Sequence, residues 1–162
     1  VSTEAAALII EQISSQNSEI PILAGDTWDS NVILNAAKGK PANVYVTTFY
    51  QEGGNAEFDS GIKKWINENP VAKANNGGDD IVSGLTAMGY DAYFTALEAA
   101  KLAKSTDSKA INEAIWNVKY KGVSGDIAFE NVNGDCIRDV AYVKHANTES
   151  GAWEFETVQG VK

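Results

Sequence analysis

The chain has 162 residues, 44% of them apolar and 22% charged, which is enough for one domain with a packed core and too apolar for disorder. A net charge of −9 and a single arginine, Arg138, exclude nucleic-acid binding, which needs clustered Lys and Arg against phosphate. No run approaches the roughly 18 apolar residues of a membrane span, and one cysteine, Cys136, allows neither an internal disulfide nor a Cys-based metal site. Cys136 is expected to be a small buried or half-buried side chain beside a turn. The acidity reads as a solvated surface.

In chain order, Ala6, Ile9, Ile10 and Ile13 recur at i, i+3, i+4 and i+7, which predicts an amphipathic helix over 3–15, capped by Ser2 or Thr3. "IPILAG" (20–25) is a short apolar run ending in glycine, the pattern of a strand buried on both faces of a parallel sheet. Asp29 or Ser30 then caps a short helix through "NVILNAA" (31–37), which "KGKP" ends. "NVYVTTFY" (43–50), rich in β-branched and aromatic residues, is the next strand. Helix, strand, helix, strand is the rhythm of βαβ units.

Phe58, Ile62, Trp65 and Ile66 predict a helix over roughly 55–68, and "ENPVAKANNGGDD" (68–80) reads as a polar loop. The longest helix is expected from Ile81 to about Lys104, with Leu85, Met88, Ala92, Ala96, Leu97, Ala100 and Ala103 as its apolar stripe. "STDSKAINEAIWNV" (105–118) restarts as a helix capped by Thr106 or Asp107. After "YKGVSG" the pattern turns to alternation at Ile127 and Phe129, with a turn at Asn133-Gly134. "DVAYVK" (139–144) and "WEFETV" (153–158) are expected to pair antiparallel across "HANTESGA".

Material for catalysis is thin. His145 is the only histidine and is expected on an exposed edge strand, and no G-x-S-x-G elbow is present. No His/Cys cluster suggests a metal, and "ENVNGD" (130–135) lacks the spacing of a calcium loop. Neither "GVSG" nor "EGGN" matches a phosphate-cradling turn, and no G-x-G-x-x-G follows the first strand. The chain is therefore expected to be no enzyme and to carry no cofactor or metal.

Binding fits the residues better. In open α/β sheets, ligands sit beyond the carboxyl ends of strands. Asp26 follows the first strand and Phe49-Tyr50 end the second, so a carboxylate flanked by Trp28, Phe49 and Tyr50 offers an ammonium partner in an aromatic cleft. Taken singly, Asp26 also suits a helix N-cap and Trp28 also suits packing.

Four stretches resemble, in order and over essentially the whole chain, the type I periplasmic binding proteins of the leucine/isoleucine/valine-binding type. They are "TEAAALIIEQISSQNSEIPILAGDTWDS", "NVYVTTFY", "MGYDAYFTALEAAKLAKSTD" and "YKGVSGDIAFENVNGD". The resemblance implies an α/β fold of two Rossmann-like lobes with hinge crossovers, closing on a ligand, with only the C-terminal portion of each lobe present. On it, 1–48 belong to lobe 2, 49–138 to lobe 1, and 139–162 return to lobe 2 as a C-terminal hairpin. It implies the extracytoplasmic receptor of an ABC importer, periplasmic or a cell-surface lipoprotein, that presents an amino acid of branched-chain type to a membrane permease. Asp26 falls where the family places the acid that pairs with the ligand α-ammonium, and Tyr90 where an aromatic from the other lobe closes over it. Trp28, Phe49 and Tyr50 lie on the same strand tips. Further implied partners are the missing N-terminal half or, for the fragment alone, a second copy. A ligand-sensing or regulatory domain of the same fold is the alternative, and a nucleotide-binding Rossmann enzyme a more distant one.

Overall fold

The computed structural model describes residues 3–16, 18, 20–129, 133–137 and 140–160. Helix α1 (Thr3–Ser15) leads to β1 (Ile22–Ala24), a 3-10 turn (Asp26–Trp28), α2 (Asn31–Ala37) and β2 (Val44–Thr48). Then come α3 (Ala56–Glu68), α4 (Pro70–Asn75), α5 (Gly84–Ala103) and α6 (Ser108–Ala114), which runs into a 3-10 turn at Ile115–Asn117. Strands β3 (Lys119–Gly122), β4 (Gly125–Ala128), β5 (Val140–Asn147) and β6 (Ala152–Gly160) complete the chain.

The main sheet has the order β1-β2-β5-β6. β1 and β2 run parallel with Ile22 opposite Val44, β5 joins antiparallel with Tyr45 opposite His145, and β6 returns antiparallel along β5. Strands 22–48 and 140–160, distant in sequence, thus share one sheet. β3 and β4 form a separate hairpin.

Period decides the core. Ala6 and Ile10 of α1, with Ile33, Leu34 and Ala37 of α2, pack on the sheet face that carries Val44, Val46 and Ala146, and Trp28 closes the cluster. A second cluster gathers Tyr50, Phe58, Val82 and Ala87, flanked by Ile62 and Val123. Removing such side chains from water contributes about 25 cal/mol per Å² of apolar area.

Several expectations are corrected. β1 is not buried on both faces: Leu23 is 80% exposed and Ile20 68%, because the helices cover only the face of Ile22 and Ala24. The stretch 68–80 is not all loop, since Asn69 accepts from the Ala72 amide and Pro70 opens α4, a start signal stronger than the surrounding polarity. On α5 the buried positions are Gly84, Ala87, Asp91, Thr95 and Ala99, so the stripe is offset and Leu85 and Leu97 lie exposed. Ala87 packs in the second apolar cluster, whereas Gly84, Asp91 and Thr95 meet polar partners: the Asp29 carboxylate, the Val123 and Ser124 amides, and the Tyr120 hydroxyl.

His145 is not on an edge strand. β5 lies between β2 and β6, and the imidazole stacks on Tyr45 with ring centroids 4.5 Å apart. Ser30, not Asp29, holds the N-cap position of α2, because the Asp29 carboxylate turns inward. Asp107 is the cap of α6, accepting from the Ala110 amide. Cys136 is half-buried and bridges Phe129 beside the Asn133-Gly134 turn, where Gly134 takes a positive φ of 85°. The proposed Ser2 cap, Arg138, Asp139 and residues 130–132 of "ENVNGD" lie outside the described residues.

Candidate ligand-binding site

Gly25 leaves β1 extended, and the chain winds into the 3-10 turn with Trp28 N–H donating to the Gly25 carbonyl (3.1 Å) and Asp29 N–H to that of Asp26 (2.9 Å). Two side chains pin this turn from below. Trp28 is packed in the main core at 7% exposure, and Asp29 is fully buried. Asp26, between them and the strand tip, stays half-buried. Among the described residues Asp26 has no ion-pair partner.

Asp29 is held on all sides. Its Oδ2 accepts from Thr48 Oγ1 (2.8 Å), the Gly84 amide (2.8 Å) and Lys144 Nζ (3.0 Å), and its Oδ1 accepts from Lys144 Nζ (3.1 Å). Asp29 and Lys144 cancel one another's charge, leaving Asp26 as the uncompensated carboxylate of the turn. This pair was missed in the sequence reading. Its signal was Lys144 sharing a strand face with apolar Ala146, a position where a cation needs a buried acid.

At the tip of β2, Thr48 is committed to Asp29 and Phe49 is half-buried. Tyr50 is buried, and its hydroxyl donates to Asp59 Oδ1 (2.6 Å) while the Gly53 amide donates to Asp59 Oδ2 (2.7 Å). Burial first, and the Asp59 carboxylate second, hold the Tyr50 phenol well above its ordinary pKa. Its ring meets Phe58 edge-on at 5.5 Å, and Phe58 meets Tyr90 at 5.0 Å. Tyr90 is 42% exposed.

Two cavities adjoin these rings. One, of about 450 Å³, is lined by Phe58, Ile62, Tyr90 and Val123 among others. The second, of about 560 Å³, is lined by Phe49, Tyr50, Val123 and Tyr142 among others. Phe49 and Tyr50 thus share one cavity and Tyr90 lines the other, linked to Tyr50 through Phe58, whereas Asp26 and Trp28 line neither. The link is α5. Its first residue, Gly84, touches Asp29, and Tyr90 lies about 9 Å further along the axis at 1.5 Å per residue. Among the described residues no group of three His, Cys, Asp or Glu could hold a metal. The arrangement offers aromatic walls at the two cavities and, apart from them, a carboxylate at the strand tip.

The fold has counterparts among solved structures. The chain superposes on the leucine-binding protein LivK of Thermotoga maritima with a TM-score of 0.70 and 30% identity, over 98% of this chain and 43% of that one. The chain matches part of a type I solute-binding protein of the leucine/isoleucine/valine-binding family. An ABC transporter substrate-binding protein of Desulfitobacterium hafniense, solved with leucine, shares the fold at TM-score 0.61 and 20% identity, over 94% of this chain and 40% of that one. The chain therefore spans less than half the length of these relatives. No protein-family model and no curated protein sequence matches it.

Proposed function

We propose that the chain is the C-terminal portion of an extracytoplasmic substrate-binding component of an ABC importer, taking an amino acid of branched-chain type. The observation that carries this reading is the likeness, over 98% of the chain, to a protein that binds leucine. The uncompensated Asp26 at a strand tip supports it. The ligand's ammonium meets the Asp26 carboxylate in a charge-assisted hydrogen bond, and Tyr90 with the neighbouring aromatics covers its apolar stem. No bond is made or broken. Closure follows because the ligand touches both lobes only in the closed form, and that difference in contact shifts the equilibrium.

In this reading the sheet of β1, β2, β5 and β6 belongs to one lobe and residues 49–138 to the other. The shared sheet of 22–48 and 140–160 supports the first half of that division. The remaining polypeptide covers exposed apolar positions such as Leu23 and supplies the groups for the ligand carboxylate, and the fragment alone pairs with a second copy. The closed receptor docks on a membrane permease, either free in the periplasm or as a cell-surface lipoprotein. Among the described residues no helix is long and apolar enough to cross a membrane.

A thermal-shift screen of the whole receptor against the amino acids tests the reading. Leucine, isoleucine and valine should raise the melting temperature most. A screen in which no amino acid moves it defeats the proposal.

A further inference from the structure

The Asp29–Lys144 pair is an unusual component of a sheet core. Asp29 is 0% exposed and Lys144 2%, and desolvating two charges costs so much that such pairs are often no more stable than well-packed apolar residues. Stability alone therefore does not explain it. Its geometry says more, because the Asp29 carboxylate ties together four segments: the turn that carries Asp26, the last residue of β2, the first residue of α5 and the middle of β5.

The contact with α5 is close. A Cβ on Gly84 would lie 2.0 Å from Thr48 Oγ1 and 2.9 Å from Asp29 Oδ2, so only glycine brings the helix start this near the strand tip. The carboxylate also faces the positive end of the α5 dipole. α5 carries Tyr90, and the turn carries Asp26. The distance between the charged and aromatic sides of the site is thus set through one buried carboxylate.

The pair has a second consequence. Asp26 and Asp29 are three residues apart, and without a counter-charge the buried Asp29 carboxylate would add its field to that of Asp26. Lys144 neutralises Asp29, so only Asp26 presents net charge.

We propose that Asp29, paired with Lys144, is the positioning residue of the ligand turn, fixing Asp26 relative to the N-terminus of α5 and withdrawing its own charge from the site. This rests on the reading that Asp26 receives the ligand ammonium. It assigns a role to two residues that need not touch the ligand.

The test compares the parent with Asp29→Asn/Lys144→Met, which removes both charges and strands neither, and with Thr48→Val, which removes one donor and keeps the pair. Three quantities are read: melting temperature, amide hydrogen exchange at residues 26–30 and 84–88, and calorimetric affinity of the whole receptor for leucine. The double variant should melt close to the parent, exchange about tenfold faster at both segments together, and bind leucine about tenfold more weakly. Thr48→Val should move exchange in the same direction by about threefold. A structural role alone would move the melting temperature and affinity together; the split between them marks positioning. Double-variant exchange and affinity within about twofold of the parent overturn the proposal, and if the double variant does not fold, unchanged exchange in Thr48→Val does so. Should the parent bind no amino acid, the functional reading fails by itself, and exchange still decides whether Asp29 couples the turn to α5.

Discussion

Replacing Asp91 by alanine should unlatch the β3–β4 hairpin from α5. Asp91 is 2% exposed, and its carboxylate accepts from the Val123 amide (2.9 Å), the Ser124 amide (2.7 Å) and Ser124 Oγ (2.5 Å). Alanine leaves two backbone N–H groups and a hydroxyl facing an apolar methyl. Orphaning a buried donor costs about 1–3 kcal/mol, so the two amides alone predict a loss of about 2–6 kcal/mol. Asp91→Asn keeps one acceptor oxygen but sets an NH2 against a donor, so it should lose about 1.5–3 kcal/mol. The same close fit predicts damage from the other side: a Cβ on Gly122 would lie 2.6 Å from the Asp91 carboxylate. Urea unfolding of Asp91→Ala, Asp91→Asn and Gly122→Ala at pH 7 measures the effect. Asp91→Ala within about 0.5 kcal/mol of the parent, the range of an ordinary surface change, would refute the latch.

Other perturbations follow from the packing. The pKa of Tyr50 is raised on folding, so the folded state holds its phenolic proton after the unfolded state releases it. That contribution is complete below the ordinary tyrosine value of about 10 and is lost as pH rises above it; stability measured by urea from pH 8 to 11 should fall more steeply in the parent than in Tyr50→Phe. Leu34→Ala, at a position 1% exposed beneath α1, should cost about 2–5 kcal/mol in the same assay. Gly84→Ala should destabilise by more than about 2 kcal/mol, since its Cβ would collide with Thr48 Oγ1, and a neutral result would show that α5 can shift away from β2.

How far the sequence was legible depended on where the partners of each residue lie. α1 and α2 were readable because their apolar spacing meets an apolar sheet face, and each helix carries its own signal. The β5–β6 pair was readable because both strands and their turn are contiguous. α5 was readable as a helix, expected from Ile81 to about Lys104 and found at Gly84–Ala103, but its buried face was not, since Gly84, Asp91 and Thr95 meet a carboxylate, a backbone amide and a hydroxyl some 25 to 55 residues away. A scale that counts apolar residues offsets the stripe of such a helix. Asp29 illustrates the same limit: its position invited a helix cap, and only the fold brings Lys144, 115 residues later, to claim it. At the candidate site Asp26 was placed at a strand tip by local pattern alone, whereas the burial of Trp28 and the commitment of Tyr50 to Asp59 arise from tertiary packing.

The claim that Asp26 receives an ammonium is tested most directly by titrating the whole receptor and its Asp26→Asn variant with leucine and with 4-methylpentanoate, which keeps the side chain and carboxylate but lacks the amine. The account predicts that the parent favours leucine over the deaminated acid. The substitution should remove about 1.5–3 kcal/mol of leucine binding and leave 4-methylpentanoate unweakened. Equal discrimination between the two ligands by parent and variant would contradict it.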